Sequence, residues 1–134
     1  MEQARILVIE DRPADAELLS RDLKRAGFAI ALASDGAQGL AAARRDRPDL
    51  VICDIGLPRV GGIEVVSALR ADSTFDRMPI IVATGLGESD ARALARAVGA
   101  DAVLTKPVNA EALLGEIRRL LDRARAGTDR KEQK

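Results

Sequence analysis

Short apolar runs recur along this chain, and four of them end in a residue with useful chemistry. Arg5-Ile6-Leu7-Val8-Ile9 runs into Glu10-Asp11, Leu50-Val51-Ile52-Cys53 into Asp54, Ile80-Ile81-Val82-Ala83 into Thr84, and Ala102-Val103-Leu104-Thr105 into Lys106. A weaker strand is predicted at Phe28–Ala33. Between the runs, apolar residues switch to helical spacing. Pro13 suits a helix start, and Leu18, Leu19 and Leu23 follow one face until Gly27. Ser34-Asp35-Gly36 turns the chain into an Ala-rich helix over about Ala37–Asp46, which Pro48 ends. Further helices are predicted near Ile63–Ala71, Ser89–Val98 and from about Asn109 to Arg125. The unbroken apolar character of Leu50–Cys53 suits a strand buried on both faces, as in a parallel sheet. Five strand-helix repeats joined by right-handed crossovers give an α/β fold, a five-stranded parallel doubly wound sheet with five helices. In such sheets, ligands bind at the carboxyl ends of the strands.

The chain has 134 residues, 47% of them hydrophobic, which suits one core. We expect one domain over residues 1–125 and a polar, disordered tail over 126–134. Lys+Arg and Asp+Glu both number 21, so no net field draws the chain to nucleic acid or to an acidic membrane, and neither is expected as a partner. Cys53 is the one cysteine, so no intrachain disulfide can form. The N-terminus enters a strand directly, without a signal-like or membrane-spanning segment, and a cytoplasmic location is expected.

The chemistry at the strand ends sharpens the picture. Alone, Glu10 and Asp11 read as solvated loop acids. Asp54 changes the balance, because it emerges from a buried strand and its carboxylate can act as a nucleophile towards phosphorus. Three clustered carboxylates repel one another unless a cation neutralises them, and Mg²⁺ takes hard oxygen ligands of this kind. Lys106 supplies a compact positive charge for a phosphoryl oxygen or for Asp54, and Lys106-Pro107 permits either peptide isomer. Thr84 offers a hydroxyl, although by itself it is an ordinary strand residue. Cys53 reads as a small buried hydrophobe.

These pieces together resemble the receiver domain of two-component response regulators, a flavodoxin-like fold. The resemblance is carried by Ile6-Leu7-Val8-Ile9-Glu10-Asp11, by Pro48-Asp49-Leu50-Val51-Ile52-Cys53-Asp54-Ile55-Gly56-Leu57-Pro58 with Gly61-Gly62-Ile63-Glu64, by Ala83-Thr84-Gly85, and by Gly99-Ala100-Asp101-Ala102-Val103-Leu104-Thr105-Lys106-Pro107. It spans roughly residues 5 to 125. It implies that Asp54 is the phosphoacceptor, served by a sensor histidine kinase or a histidine phosphotransfer protein. It implies that Glu10, Asp11, Asp54 and the Gly56 carbonyl serve Mg²⁺, with Asp11 the foremost direct ligand, and that Thr84 and Lys106 grip the phosphoryl oxygens. It also implies signalling to an output protein by protein–protein contact, the only catalysis being the domain's own phosphorylation and dephosphorylation.

Departures from the family pattern are Val103 in place of an aromatic, and Gly56 and Leu86 at positions that influence hydrolysis. With Val103 there, the switch is expected to travel through the Gly85–Ser89 loop. Arg12 adds a cation beside the acid pair, placed to bind a phosphodonor or to be solvated. The chain contains no histidine, so the phosphoryl group must come from outside it. We expect a stand-alone, chemotaxis-regulator-like receiver. The alternatives are a receiver from a hybrid kinase or longer regulator, a pseudo-receiver that binds partners without phosphotransfer, and a flavin protein. The last lacks a Gly/Ser/Thr-rich phosphate cradle after the first strand.

Overall fold

Alternation within each apolar run decides how the layers assemble. The computed structural model describes residues 3–57, 59–85 and 89–127. Its strands are β1 (Arg5–Ile9), β2 (Ala29–Ala33), β3 (Leu50–Asp54), β4 (Ile80–Thr84) and β5 (Ala102–Thr105). They pair in parallel in the order β2-β1-β3-β4-β5. The helices are α1 (Pro13–Arg25), α2 (Gly36–Asp46), α3 (Gly62–Arg70), α4 (Ser89–Ala97) and α5 (Ala110–Arg125), with a short 3₁₀ turn at Ser73–Phe75.

Successive strand residues point to opposite faces. Leu7, Ile9, Val51, Cys53, Ile80, Val82 and Val103 therefore pack in one cluster with Ala42 and Ala43 of α2, Val65, Val66 and Leu69 of α3, and Ala95 of α4. Ile6, Val8, Leu50, Ile52, Ile81 and Ala102 form the other with Leu23 of α1 and Leu113, Ile117, Leu120 and Leu121 of α5. The predicted doubly wound sheet is thus the observed fold, with α1 and α5 on one face and α2, α3 and α4 on the other. The central strands β3 and β4 are buried along their whole length, whereas the edge strand β2 is half open.

Local chemistry sets the element ends. Phe28 begins no strand, because its N–H closes α1 by donating to the Leu23 carbonyl. Asp35 caps α2 by accepting from the Gln38 N–H, and Asn109 caps α5 by accepting from the Ala112 N–H. Two glycines allow the β3–α3 connection to pass close to its neighbours. A Cβ at Gly36 would collide with the Val60 carbonyl, and one at Gly62 with the carbonyl of Asp54.

Among the described residues, no helix is long and apolar enough to cross a membrane. Most of the predicted switch loop and Leu86 lie outside the described residues, as does the predicted tail beyond Gly127.

Candidate functional site

The same alternation sorts the residues at the strand ends. Asp54 follows Cys53 and shares the parity of Leu50 and Ile52, which face α1 and α5. Glu10 continues the parity of Ile6 and Val8 beyond β1, and Lys106 that of Ala102 and Leu104 beyond β5. All three line a crevice of about 380 Å³ between the sheet, α1 and α5. Its other charged residues are Arg12 and Asp15, and Leu18, Leu19, Leu104, Val108 and Leu113 make its apolar wall. Thr84 has the opposite parity. It is fully buried at the end of β4, and Ala83 takes its place in the crevice lining.

Within the crevice, Lys106 Nζ lies 2.8 Å from Glu10 Oε1 and 3.3 Å from Asp54 Oδ1. The other Glu10 oxygen, Oε2, accepts from the Arg12 N–H at 3.1 Å, so both oxygens of this acid are engaged. Asp54 Oδ1 also receives the Gly56 N–H at 3.4 Å. The sequence suggested Lys106 as a partner for Asp54, but its shorter contact is with Glu10, which no strand-end pattern reveals. The Lys106-Pro107 peptide bond is cis.

Burial is the largest influence on the Glu10 carboxyl and raises its pKa. The Asp54 charge adds to that rise, and the hydrogen bonds from Lys106 and the Arg12 N–H oppose it. Burial works against the Lys106 ammonium, yet its hydrogen bond to Glu10 and the charges of Asp54 and Glu10 outweigh that and raise its pKa. Lys106 is therefore a fixed cation. Cys53, on the opposite face, donates its thiol to the Asp54 carbonyl, and burial pushes its pKa well up.

Oxygens of Glu10, Asp11 and Asp54 all lie within 4.8 Å of one another. With Glu10 held by Lys106 and Arg12, Asp11 and Asp54 are the better placed to share a hard divalent cation such as Mg²⁺, which commonly uses one or two carboxylates and several waters. The donor set fits that ion. Chemically, the site offers a carboxylate nucleophile, a neighbouring cation and an acidic cluster that attracts a metal.

Sequence reasoning missed a second charged cluster, at the opposite end of the sheet. Asp101, just before β5, accepts from Arg70 Nη2 at 2.7 Å and Arg123 Nη2 at 2.9 Å, and from the Ile80 N–H at 2.8 Å. Arg70 also donates to the carbonyls of Gly99 and Phe75. An aspartate at the foot of a strand was the available signal, but its partners are 31 and 22 residues away in sequence.

Comparison with known proteins extends this picture. Residues 6–118 match the response regulator receiver domain family. The response regulator MprA of Mycobacterium leprae is 41% identical over 121 residues, which cover 90% of this chain and 52% of that protein. The DNA-binding dual master transcriptional regulator RpaA of Synechocystis is 40% identical over 119 residues, covering 89% of this chain and 49% of that protein. The chain spans about half the length of the curated relatives it matches. Among solved structures, the chemotaxis response regulator CheY4 of Vibrio cholerae superposes with a TM-score of 0.83 at 33% identity, covering 89% of this chain and 99% of that one.

Proposed function

This chain belongs to the response regulator receiver domain family, and on that footing we propose that Asp54 accepts a phosphoryl group from a phosphohistidine on a sensor kinase or phosphotransfer protein. The supporting observation is the state of the Asp54 carboxylate. Oδ1 is held by Lys106 and the Gly56 N–H, while Oδ2 has no partner among the described residues, and Asp54 lines the crevice. Oδ2 forms the new P–O bond as the donor's P–N bond breaks. The electron pair returns to the imidazole nitrogen, which takes up a proton. Lys106 remains charged throughout and can transfer its hydrogen bonds from Glu10 to the incoming phosphoryl oxygens.

Asp11, Asp54 and the Gly56 carbonyl would hold Mg²⁺, which when bound offsets the repulsion between the carboxylates and the phosphoryl group. Glu10 acts at one remove, holding Lys106 in place. Thr84 lies on the side of the sheet covered by α4, and a phosphoryl oxygen that engages its hydroxyl would couple the crevice to that side. Such coupling turns a charge event into a change of binding surface, and the output is contact with another protein. The catalysis is confined to Asp54 itself. The length of the curated relatives favours a second reading in which the same reaction controls a longer regulator.

The test is incubation with acetyl phosphate, with and without Mg²⁺, followed by intact-mass analysis. One phosphoryl group is expected on the parent protein with Mg²⁺, and none on Asp54→Asn. Equal labelling of that variant sinks the assignment, and no labelling of the parent by any donor points to a pseudo-receiver.

A further inference from the structure

We propose that Arg12 recognises the anionic phosphodonor at the mouth of the crevice and that Asp15 opposes it, so that this pair sets which donors are accepted. The inference rests on Asp54 being the phosphoacceptor. Among the described residues, five charged side chains line the crevice: Glu10, Arg12, Asp15, Asp54 and Lys106. Four have tasks that follow from their position or are acids that repel an anion. Before a donor arrives, Lys106 is paired with Glu10 and Asp54. Without Arg12, an incoming phosphodonor would meet Glu10, Asp11, Asp15 and Asp54 and, among the described residues, one cation that is paired until the phosphoryl group arrives.

Arg12 has a different status. Its backbone N–H is used by Glu10 Oε2, and its carbonyl accepts from the Ala16 N–H in the first turn of α1. Its side chain does not cap the helix, and its guanidinium has no hydrogen bond or ion pair among the described residues. The two backbone bonds fix where the side chain starts, directly beside the acid cluster, while the five N–H donors of the guanidinium are unspent among the described residues. A planar fork of this kind matches two phosphoryl oxygens at once, which an ammonium cannot do. Its charge also acts earlier, by raising the encounter rate with an anion. Asp15, one turn along α1 on the same wall, subtracts from that attraction.

The opposition gives the inference a signed test. Phosphorylation rates of the whole chain would be measured by intact mass with Mg²⁺, using acetyl phosphate and the less negatively charged phosphoramidate, at low and high salt. Arg12→Ala is expected to slow acetyl phosphate by ~5-fold or more at low salt, because steering by a single well-placed charge is of that order or larger. The deficit should shrink at high salt, where screening shortens the reach of the charge. Arg12→Lys should restore the salt dependence but only part of the rate, and Asp15→Asn should accelerate the reaction. All these changes should be smaller with phosphoramidate. A deficit that ignores salt, or an Asp15→Asn effect in the same direction as Arg12→Ala, would overturn the proposal. An unlabelled parent protein would instead refute the phosphoacceptor assignment. A labelled parent with an indifferent Arg12→Ala refutes only the role of Arg12. Melting curves establish that each variant folds, and Arg12→Lys and Asp15→Asn change exposed or half-exposed positions with little packing to lose.

Discussion

At the carboxyl end of the sheet one cation, Lys106, sits among the carboxylates of Glu10, Asp11 and Asp54, while at the amino end one carboxylate, Asp101, sits between the guanidinium groups of Arg70 and Arg123. The arrangements are inverted in sign and also in completeness. Asp101 has both oxygens occupied, and its side chain is only 3% exposed. In the crevice, among the described residues, Asp54 keeps an unpaired oxygen, the acids outnumber the cations, and Lys106 is 23% exposed. A finished cluster holds elements together, tying α3, β4, β5 and α5. An unfinished one retains electrostatic stress that a ligand can relieve, and function requires that incompleteness.

The comparison breaks most visibly at Asp101. Asp101→Ala removes the shared acceptor of the largely buried Arg70 guanidinium, the partly exposed Arg123 guanidinium and the Ile80 N–H, and should cost about 3–5 kcal/mol. The chain has no Trp or Tyr, so urea unfolding is best followed by far-UV circular dichroism. A loss below ~1 kcal/mol would mean that the cluster is not a structural tie.

The opposite sign is expected in the crevice. Asp11→Ala removes like-charge repulsion and should stabilise the metal-free protein by about 1 kcal/mol, the energy of two unit charges about 4 Å apart in water. The same variant should lose most of the stabilisation that Mg²⁺ gives the parent. An undiminished Mg²⁺ response would remove Asp11 from the ligand set.

The smallest effect concerns Cys53, which lies one residue from Asp54 and faces the other way. Its buried thiol has a raised pKa, so at pH 8 it should remain protonated and resist iodoacetamide in the folded protein. Labelling should appear only as urea unfolds the chain. Alkylation of the native protein at the rate of a free thiol would show that this face opens locally.

Much of this organisation was legible in the sequence. β3, β4 and β5 have the predicted bounds because each apolar run is closed by a turn or a charged residue. The helix starts shift by one residue at Gly36, Gly62 and Ala110, where caps and close backbone approaches rather than periodicity decide. The 3₁₀ turn at Ser73–Phe75 was not legible, since it depends on Asp72 accepting from the Thr74 N–H and on the burial of Phe75. The strand ends announced the crevice, but counting ends alone places Thr84 beside Asp54. Period two puts Ala83 in the crevice lining and Thr84 at the buried end of β4, and that alternation was available in the sequence. The Asp101 cluster was hidden because its members share no local pattern and meet only when three distant segments pack.

The adjacency of Cys53 and Asp54 has a further consequence for how this chain tolerates change. A deletion or insertion of one residue within β3 would exchange their faces. A soft thiol would then enter the crevice where hard oxygen donors gather, and a carboxylate would enter the apolar layer beneath α3. Neither exchange is mild, so the register of β3 is policed from both sides of the sheet. Length variation should therefore be absent from this strand and concentrated in the connections on either side.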